Sequence, residues 1–390
     1  MKKYIRKILN KISSFGFSIK WSNEGNRSAI IPNFNYYLND TQVLKYVTEF
    51  HSTSYFTGHL VNPTNEEENY INYLKNSIKY MSENYPENNF GIMWTGLDKQ
   101  MLTNILNSDL RLFNNLGSLS YKTFAPVNPN YQECISEVIK TLCLYEHLSS
   151  AKNKFEMLHT DLNSGYLTKN NIRINSKLKH YEEYNIIENL IVNISKGNTA
   201  KEVKIMEIGW GEGQLANIIL SKSEYNAKYV VIDLPSMHSR APYFISKYSN
   251  AKVCTYLRFI ELDSDLDRIF KEYDVVMLPP WERETLIDYN FDLAINMRSI
   301  SEMSLNEATD YIKLISKNSN YFFSINTNKN SFDFKTQKHL YEELNILELI
   351  QLGKTDFQVL KTGVTIGDSF LQKNLHHVYA LLKNSRKTKK

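Results

Sequence analysis

Hydrophobic and polar positions follow two different rhythms along this chain, and the change comes near residue 181. Before it, apolar residues recur at helical spacing. In TNEEENYINYLKNSIKYMSENY, Ile71, Leu74, Ile78 and Met81 share one face behind a Thr/Asn cap signal and an acidic first turn. NYQECISEVIKTLCLYEHLSSAKNKFEML repeats the helical pattern through Ile135, Val138, Ile139 and Leu142, while FAPVNPNY and LNSGYLTKNN read as turns or loops. After a helix-like YEEYNIIENLIVNIS, apolar runs of strand length alternate with helix-length stretches. VKIMEI (203–208), KYVVID (228–233), KVCTYL, FDLAIN (291–296), YFFSIN (321–326) and HHVYALLK (376–383) read as strands. GQLANIILSKS, SMHSRAPYFISKYS and EATDYIKLISKN read as helices among them, and Val275 to Leu278, closed by Pro279-Pro280, as a short extra strand.

Strands that alternate with crossover helices predict a mostly parallel sheet covered on both faces. The expected architecture is α/β: a mainly helical N-terminal domain over 1–180, a doubly wound Rossmann-like domain over 181–385, and a basic tail over 386–390. A hydrophobic fraction of 42% and an aromatic fraction of 13% can fill such cores, which excludes a disordered chain. The net charge of +4 over 390 residues gives no electrostatic case for a nucleic-acid partner. Cys134, Cys143 and Cys254 are odd in number and lack metal-site spacing, which reads as reduced thiols in a cytoplasmic protein. No apolar run is long enough to span a membrane. The opening MKKYIRKILNKISSFGFSI is too often interrupted by lysine for a signal peptide. It does place Ile5, Leu9 and Ile12 near one helical face among Lys2, Lys3, Lys7 and Lys11, and a weak membrane-surface contact stands beside a plain terminal helix.

Chemistry concentrates in KIMEIGWGEGQLANIIL. With only 14 glycines in the chain, three alternating in one loop are not background. The loop after the first strand of an α/β sheet lies at the carboxyl edge, where ligands bind. Glycines there allow a tight turn and close approach of a ligand, and the next helix points free N–H groups at it. A dinucleotide fingerprint would need glycine at 214, where the chain has Gln214. Instead Glu207 precedes Gly209, Gly211 and Gly213 at spacing two. At the end of the second strand, Asp233, followed by Leu234, can accept hydrogen bonds from both hydroxyls of a ribose; its alternative is a helix cap. Glu207 stands at the same edge, either beside a bound ligand or paired with a lysine.

With these pieces, the chain resembles the sugar O-methyltransferases of bacterial surface-polysaccharide loci, which are class I enzymes using S-adenosylmethionine. The likeness runs from HYEEYN (180–185) to YFFSINTN (321–328) through EIGWGEGQLANIIL, VVIDLP, VVMLPPWE and INMRSISEM. Residues 1–178 are not matched by it. The resemblance implies an S-adenosylmethionine site at Tyr181, Glu207, Gly209, Gly211, Gly213, Asp233, Leu234 and Asn296. It implies a sugar or glycan acceptor met by Trp281, Arg298 and Ser299. Two departures stand out: Trp210 replaces a small loop residue, and is expected to pack beside the cofactor pocket or against the N-terminal domain. Arg298 stands where a small or neutral residue is usual, and would face an acidic group on the acceptor.

A sugar hydroxyl is a poor nucleophile, so a general base, or a metal that lowers its pKa, is expected. His238 and Glu302 lie on the right edge of the sheet for the base, although each also reads as an ordinary helix-start residue. No His/Asp/Glu cluster has metal spacing. Two other readings stay open: a methyltransferase for another small hydroxylated metabolite, and a non-catalytic module that lost its cofactor to Trp210.

Overall fold

The computed structural model describes residues 63–86, 94–107, 179–198, 201–327, 346–365 and 377–386, together with four short strands elsewhere. The chain forms two compact units. The first gathers residues 1–61, 115–183 and 365–375, and the second residues 62–114, 184–364 and 376–390. Within the first, Phe17–Trp21 pairs antiparallel with Ser28–Pro32, and Tyr166–Leu167 with Arg173–Ile174. Part of the expected loop LNSGYLTKNN is therefore one arm of a hairpin. The helices expected over 2–12 and 130–158, with Cys134 and Cys143, lie outside the described residues.

The second unit is built on one eight-stranded sheet. Its strands are β1 (Glu202–Ile208), β2 (Asn226–Ile232), β3 (Val253–Cys254), β4 (Val275–Leu278), β5 (Phe291–Met297), β6 (Ser319–Thr327), β7 (Phe357–Val364) and β8 (His377–Asn384). Their spatial order is β7-β8-β6-β5-β1-β2-β4-β3. All neighbours pair in parallel except at β8, which runs against both β6 and β7. The chain winds outward from β1 through β2 to the edge strand β3, returns to β4 between β2 and β3, then crosses to β5 and β6 on the other side. This is the doubly wound α/β arrangement expected, with its topological switch between β1 and β5. The central strands are apolar on both faces because both are covered: Ile205, Val230, Val276, Leu293, Phe322 and Phe323 are wholly buried.

One expectation needs correction. KVCTYL is a strand only at Val253–Cys254. The Thr255 hydroxyl then accepts the Arg258 N–H at 3.4 Å and starts the helix Tyr256–Glu261. The two compact units divide between Glu183 and Tyr184, and residues 62–114 group with the sheet. Those residues carry helices α1 (Asn65–Glu83) and α2 (Trp94–Leu106). Thr64 and Glu67 close a capping box at the start of α1, and its expected apolar face is buried. Tyr243 donates its hydroxyl to Glu67 Oε1 at 3.1 Å and Leu257 N–H reaches Ser77 Oγ at 3.2 Å, which ties α1 to the sheet's own helices. Among the described residues no helix is long and apolar enough to cross a membrane.

Candidate functional site

The switch between β1 and β5 fixes where a crevice opens, and the chain spends its glycines there. Gly209, Gly211 and Gly213 all adopt left-handed backbone, at φ 72°, 57° and 68°. At Gly209 the reason is also steric: a Cβ would stand 2.2 Å from Ser299 Oγ, so the loops leaving β1 and β5 close only without one. A Cβ at Gly211 would meet nothing within 4 Å and would stand in open space, where a ligand can approach. Trp210 between them is only 4% exposed, and its ring packs under the loop, 3.5 Å from the Cβ position of Gly213. The tryptophan lines the inside of the loop within the sheet unit and leaves its outer side clear. Its indole N–H has no hydrogen-bond partner among the described residues.

Asp233 follows β2 and faces the glycine loop. Its Oδ2 accepts the Gly211 N–H at 3.0 Å and its Oδ1 the Leu234 N–H at 2.7 Å. Asp233 is half-buried, and two carboxylate oxygens have more acceptor sites than these two bonds fill. Burial pushes Asp233 up to about 7, helped by the nearby Asp98 and opposed by the backbone N–H groups. The turn is held from beneath by His238, whose Nε2 donates to the Asp233 carbonyl at 3.1 Å. His238 is buried, and its Nδ1 has no partner among the described residues. Burial lowers its pKa to about 4, so the ring is neutral and weakly basic at pH 7. The ring thus supports the Asp233 turn through the carbonyl that it bonds.

On the other side of the switch, Asn296 closes β5. Its amide donates to the Ile208 carbonyl at 2.8 Å, and Ser299 Oγ donates to the same carbonyl at 2.9 Å. Asn326, at the end of β6, donates to Asn296 Oδ1 at 2.9 Å and accepts the Ser301 N–H at 3.2 Å. These amides hold the ends of β1, β5 and β6 in register. Asn326 was not anticipated, because its partners lie on separate strands. Arg298 sits between, half-buried, with left-handed backbone at φ 64° and its N–H on the Ile325 carbonyl at 2.6 Å. A bulky residue in that conformation is held there by its surroundings. Glu302 ends the adjoining 3₁₀ turn Ile300–Glu302 and is half-buried at the same edge.

The remaining expected residues fall in three places. Glu207 is wholly buried and accepts the Tyr229 hydroxyl at 2.6 Å, so it braces the strand end from within the sheet. Tyr181 lies in helix α3 (Lys179–Gly197), is buried, and belongs to the first unit. Trp281 follows β4 at the carboxyl edge. Its ring meets Tyr85 edge-on at 5.5 Å and Tyr256 at 6.3 Å, and its N–H reaches the Tyr256 hydroxyl at 3.4 Å. Among the described residues no group of three or more His, Cys, Asp or Glu side chains is gathered as a metal site.

No protein-family model matches the chain, and no curated protein does. Solved structures similar to it include an N-methyltransferase from Bradyrhizobium japonicum in complex with S-adenosyl-L-homocysteine. That match has 10% identity over 63% of this chain and 98% of the other, with a TM-score of 0.34. Magnesium protoporphyrin IX methyltransferase from Synechocystis PCC 6803 is similar at 10% identity, over 54% of this chain and 86% of that one, with a TM-score of 0.32. A methyltransferase from Methanosarcina mazei is similar at 13% identity, over 49% and 96%, with a TM-score of 0.34.

Proposed function

We propose that the chain is an S-adenosylmethionine-dependent O-methyltransferase whose acceptor is a sugar hydroxyl, nucleotide-linked or within a surface glycan, and that it works in the cytoplasm. The observation that carries this reading is the Asp233 carboxylate, fixed by the Gly211 and Leu234 N–H groups opposite a glycine loop with open space before it. Ionised Asp233 would accept both ribose hydroxyls. Gly209, Gly211 and Gly213 would let the amino-acid end of the cofactor lie against the backbone, with Asn296 and the buried Glu207 holding the strand ends that shape it. When bound, the cofactor supplies an electrophilic methyl group. The protein's part is to bring an acceptor oxygen in line with that methyl and to take up the hydroxyl proton.

The neutral, weakly basic His238 leaves Glu302 as the better-placed proton acceptor, with Arg298 and Ser299 beside it for the acceptor. The sugar class is supported by the LPPWE and NMRSISEM stretches, and by the half-exposed Trp281 ring at the same edge, an apolar face suited to a sugar ring. Calorimetric titration of S-adenosylhomocysteine into the wild-type protein and Asp233→Ala tests the cofactor. Tight wild-type binding should weaken about a hundredfold in the variant, as two charge-assisted hydrogen bonds are lost. Folded wild-type protein that binds none would sink the reading. Methyl transfer to a panel of nucleotide sugars and glycans then tests the acceptor. Transfer only to hydroxylated metabolites without a sugar would keep the reaction and replace its substrate.

A further inference from the structure

From the end of β6 to the end of β1 runs a chain of buried side-chain amides that can point only one way. It starts at a fixed donor: the Ser301 N–H, in the 3₁₀ turn after β5, reaches Asn326 Oδ1 at 3.2 Å. A backbone N–H cannot accept, so Asn326 turns its oxygen to Ser301 and its nitrogen away. That nitrogen donates to Asn296 Oδ1 at 2.9 Å and to Ser324 Oγ at 2.7 Å. Asn296 Oδ1 also takes the Ile300 N–H at 3.4 Å, which leaves the Asn296 nitrogen to face β1. There it meets a fixed acceptor, the Ile208 carbonyl, at 2.8 Å. Asn296, Ser324 and Asn326 are all buried, so a flipped amide would leave unmatched groups without water to satisfy them. The Ile208 carbonyl belongs to the peptide that opens the glycine loop. The N–H of that same peptide, on Gly209, donates to the Ile232 carbonyl at 2.8 Å. Because a peptide is planar, this one is gripped from β5 on one side and from β2 on the other.

We propose that Asn326 is a positioning residue for the cofactor: acting through Asn296, it sets the plane of the Ile208–Gly209 peptide and with it the path of the glycine loop. The idea rests on the cofactor reading above. A cap for the Ser301 N–H would need only the oxygen of Asn326. Its nitrogen has a separate use, since it orients the amide that in turn holds the loop. The loop has little room for error. Gly209 is left-handed at φ 72°, its Cβ position lies 2.2 Å from Ser299 Oγ, and that hydroxyl donates to the Ile208 carbonyl at 2.9 Å. A tilted peptide would press Gly209 onto Ser299 or draw the Gly211 N–H, two residues on, away from the Asp233 carboxylate. Through Ser301 the same side chain reaches the turn that carries Arg298 and Glu302, and the Arg298 N–H is held by the Ile325 carbonyl next to Asn326. One amide thus refers the cofactor loop and the acceptor turn to a common strand, β6.

The test is calorimetric titration of S-adenosylhomocysteine into full-length wild type, Asn326→Ala, Asn296→Ala and the double variant, with urea denaturation of each. Asn326→Ala should weaken binding about tenfold, as one hydrogen bond in the chain is lost, and Asn296→Ala at least as much. In the Asn296→Ala background, removing Asn326 should change affinity by less than about twofold while still lowering stability, because Asn326 reaches the loop only through Asn296. Affinity losses that multiply overturn the proposal, since a general loosening of the site would produce them. Unchanged affinity in Asn326→Ala overturns it as well. If Asn326→Ala does not fold, Asn326→Asp takes its place at about pH 8.5, where a carboxylate can accept the Ser301 N–H but has no proton for Asn296. A loss of about tenfold is again expected, and wild-type affinity overturns the proposal. Selective ¹⁵N-glycine labelling adds a signature in the ligand-free protein. The variant should move the Gly209 amide resonance in the same direction as Asn296→Ala and leave that of Gly197, which ends α3 before β1 begins, in place. A Gly209 resonance that does not move overturns the positioning role. Wild-type protein that binds no S-adenosylhomocysteine overturns the cofactor reading itself and the positioning role with it. Binding that is indifferent to Asn326 overturns the positioning role alone.

Discussion

One carbon at Gly209 would decide whether the loops leaving β1 and β5 can meet, because Ser299 Oγ already occupies the place of a Cβ. Gly209→Ala adds that clash to a left-handed backbone, which alone costs about 1–2 kcal/mol. Gly211→Ala carries the same backbone strain with no clash, but its methyl would stand where a ligand must approach. The two variants should therefore separate. Gly209→Ala should be the less stable in urea, whereas Gly211→Ala should lose more cofactor affinity than its stability explains; equal stability losses would contradict the placement of Ser299. His238 offers a pH test at the same scale. Its folded pKa, about 4, lies below the ordinary 6.5, so beneath pH 6.5 the unfolded chain takes up a proton that the folded one refuses. That contribution to stability is full above pH 6.5 and is lost as pH falls toward 4. His238→Gln keeps a donor for the Asp233 carbonyl without the titration. Its stability relative to wild type should improve steadily from pH 6.5 to 5 and stay level above 7, and a gap that ignores pH would count against a buried neutral ring.

Among the elements, α1 shows both how much of the fold is legible and where legibility stops. Its start, length and buried face follow from Thr64, Glu67 and the spacing of Ile71, Leu74, Ile78 and Met81, all within one stretch of chain. Its partner does not follow, because the Tyr243–Glu67 bond spans 176 positions. Thr64→Ala should cost about 1 kcal/mol in chemical denaturation. Glu67→Ala should cost more, since Glu67 serves both the cap and Tyr243; equal losses would mean the Tyr243 bond contributes nothing. The strands divide in the same way. The central ones announce themselves as continuous apolar runs because both their faces are covered. β7 escapes notice as FQVLKTGV, an edge strand with a bulge, with Val359 and Leu360 51% and 52% exposed. KVCTYL misleads because an apolar run does not reveal that Thr255 caps a helix. In the site, the glycine loop and Asp233 are legible as local signals at strand ends. The roles of Asp98 and Asn326 are not, since each is made by a hydrogen bond from a distant element.

For the whole molecule, the discontinuous second unit changes what a minimal cofactor-binding piece must contain. By its alternating strands and helices alone, 181–385 reads as a complete domain, followed by a basic tail. The structure adds 62–114 to it, and takes 365–375 away. Without 62–114 the Ser236 N–H loses Asp98, Tyr243 loses Glu67, and the Leu257 N–H loses Ser77 Oγ. Three groups would be left without their partners on a surface where α1 had covered apolar side chains, and that surface adjoins the turn bearing Asp233. Each buried donor that loses its acceptor costs about 1–3 kcal/mol, against a total stability of about 5–15 kcal/mol for a domain. A fragment of 181–390 should therefore unfold without a sharp transition and should not respond to S-adenosylhomocysteine. The full chain at a hundredfold excess over its dissociation constant should gain about 2.7 kcal/mol. Urea denaturation of both, with and without ligand, reads this directly. A fragment that unfolds cooperatively and gains as much from the ligand as the full chain would show that α1 and α2 pack on the cofactor unit without completing it.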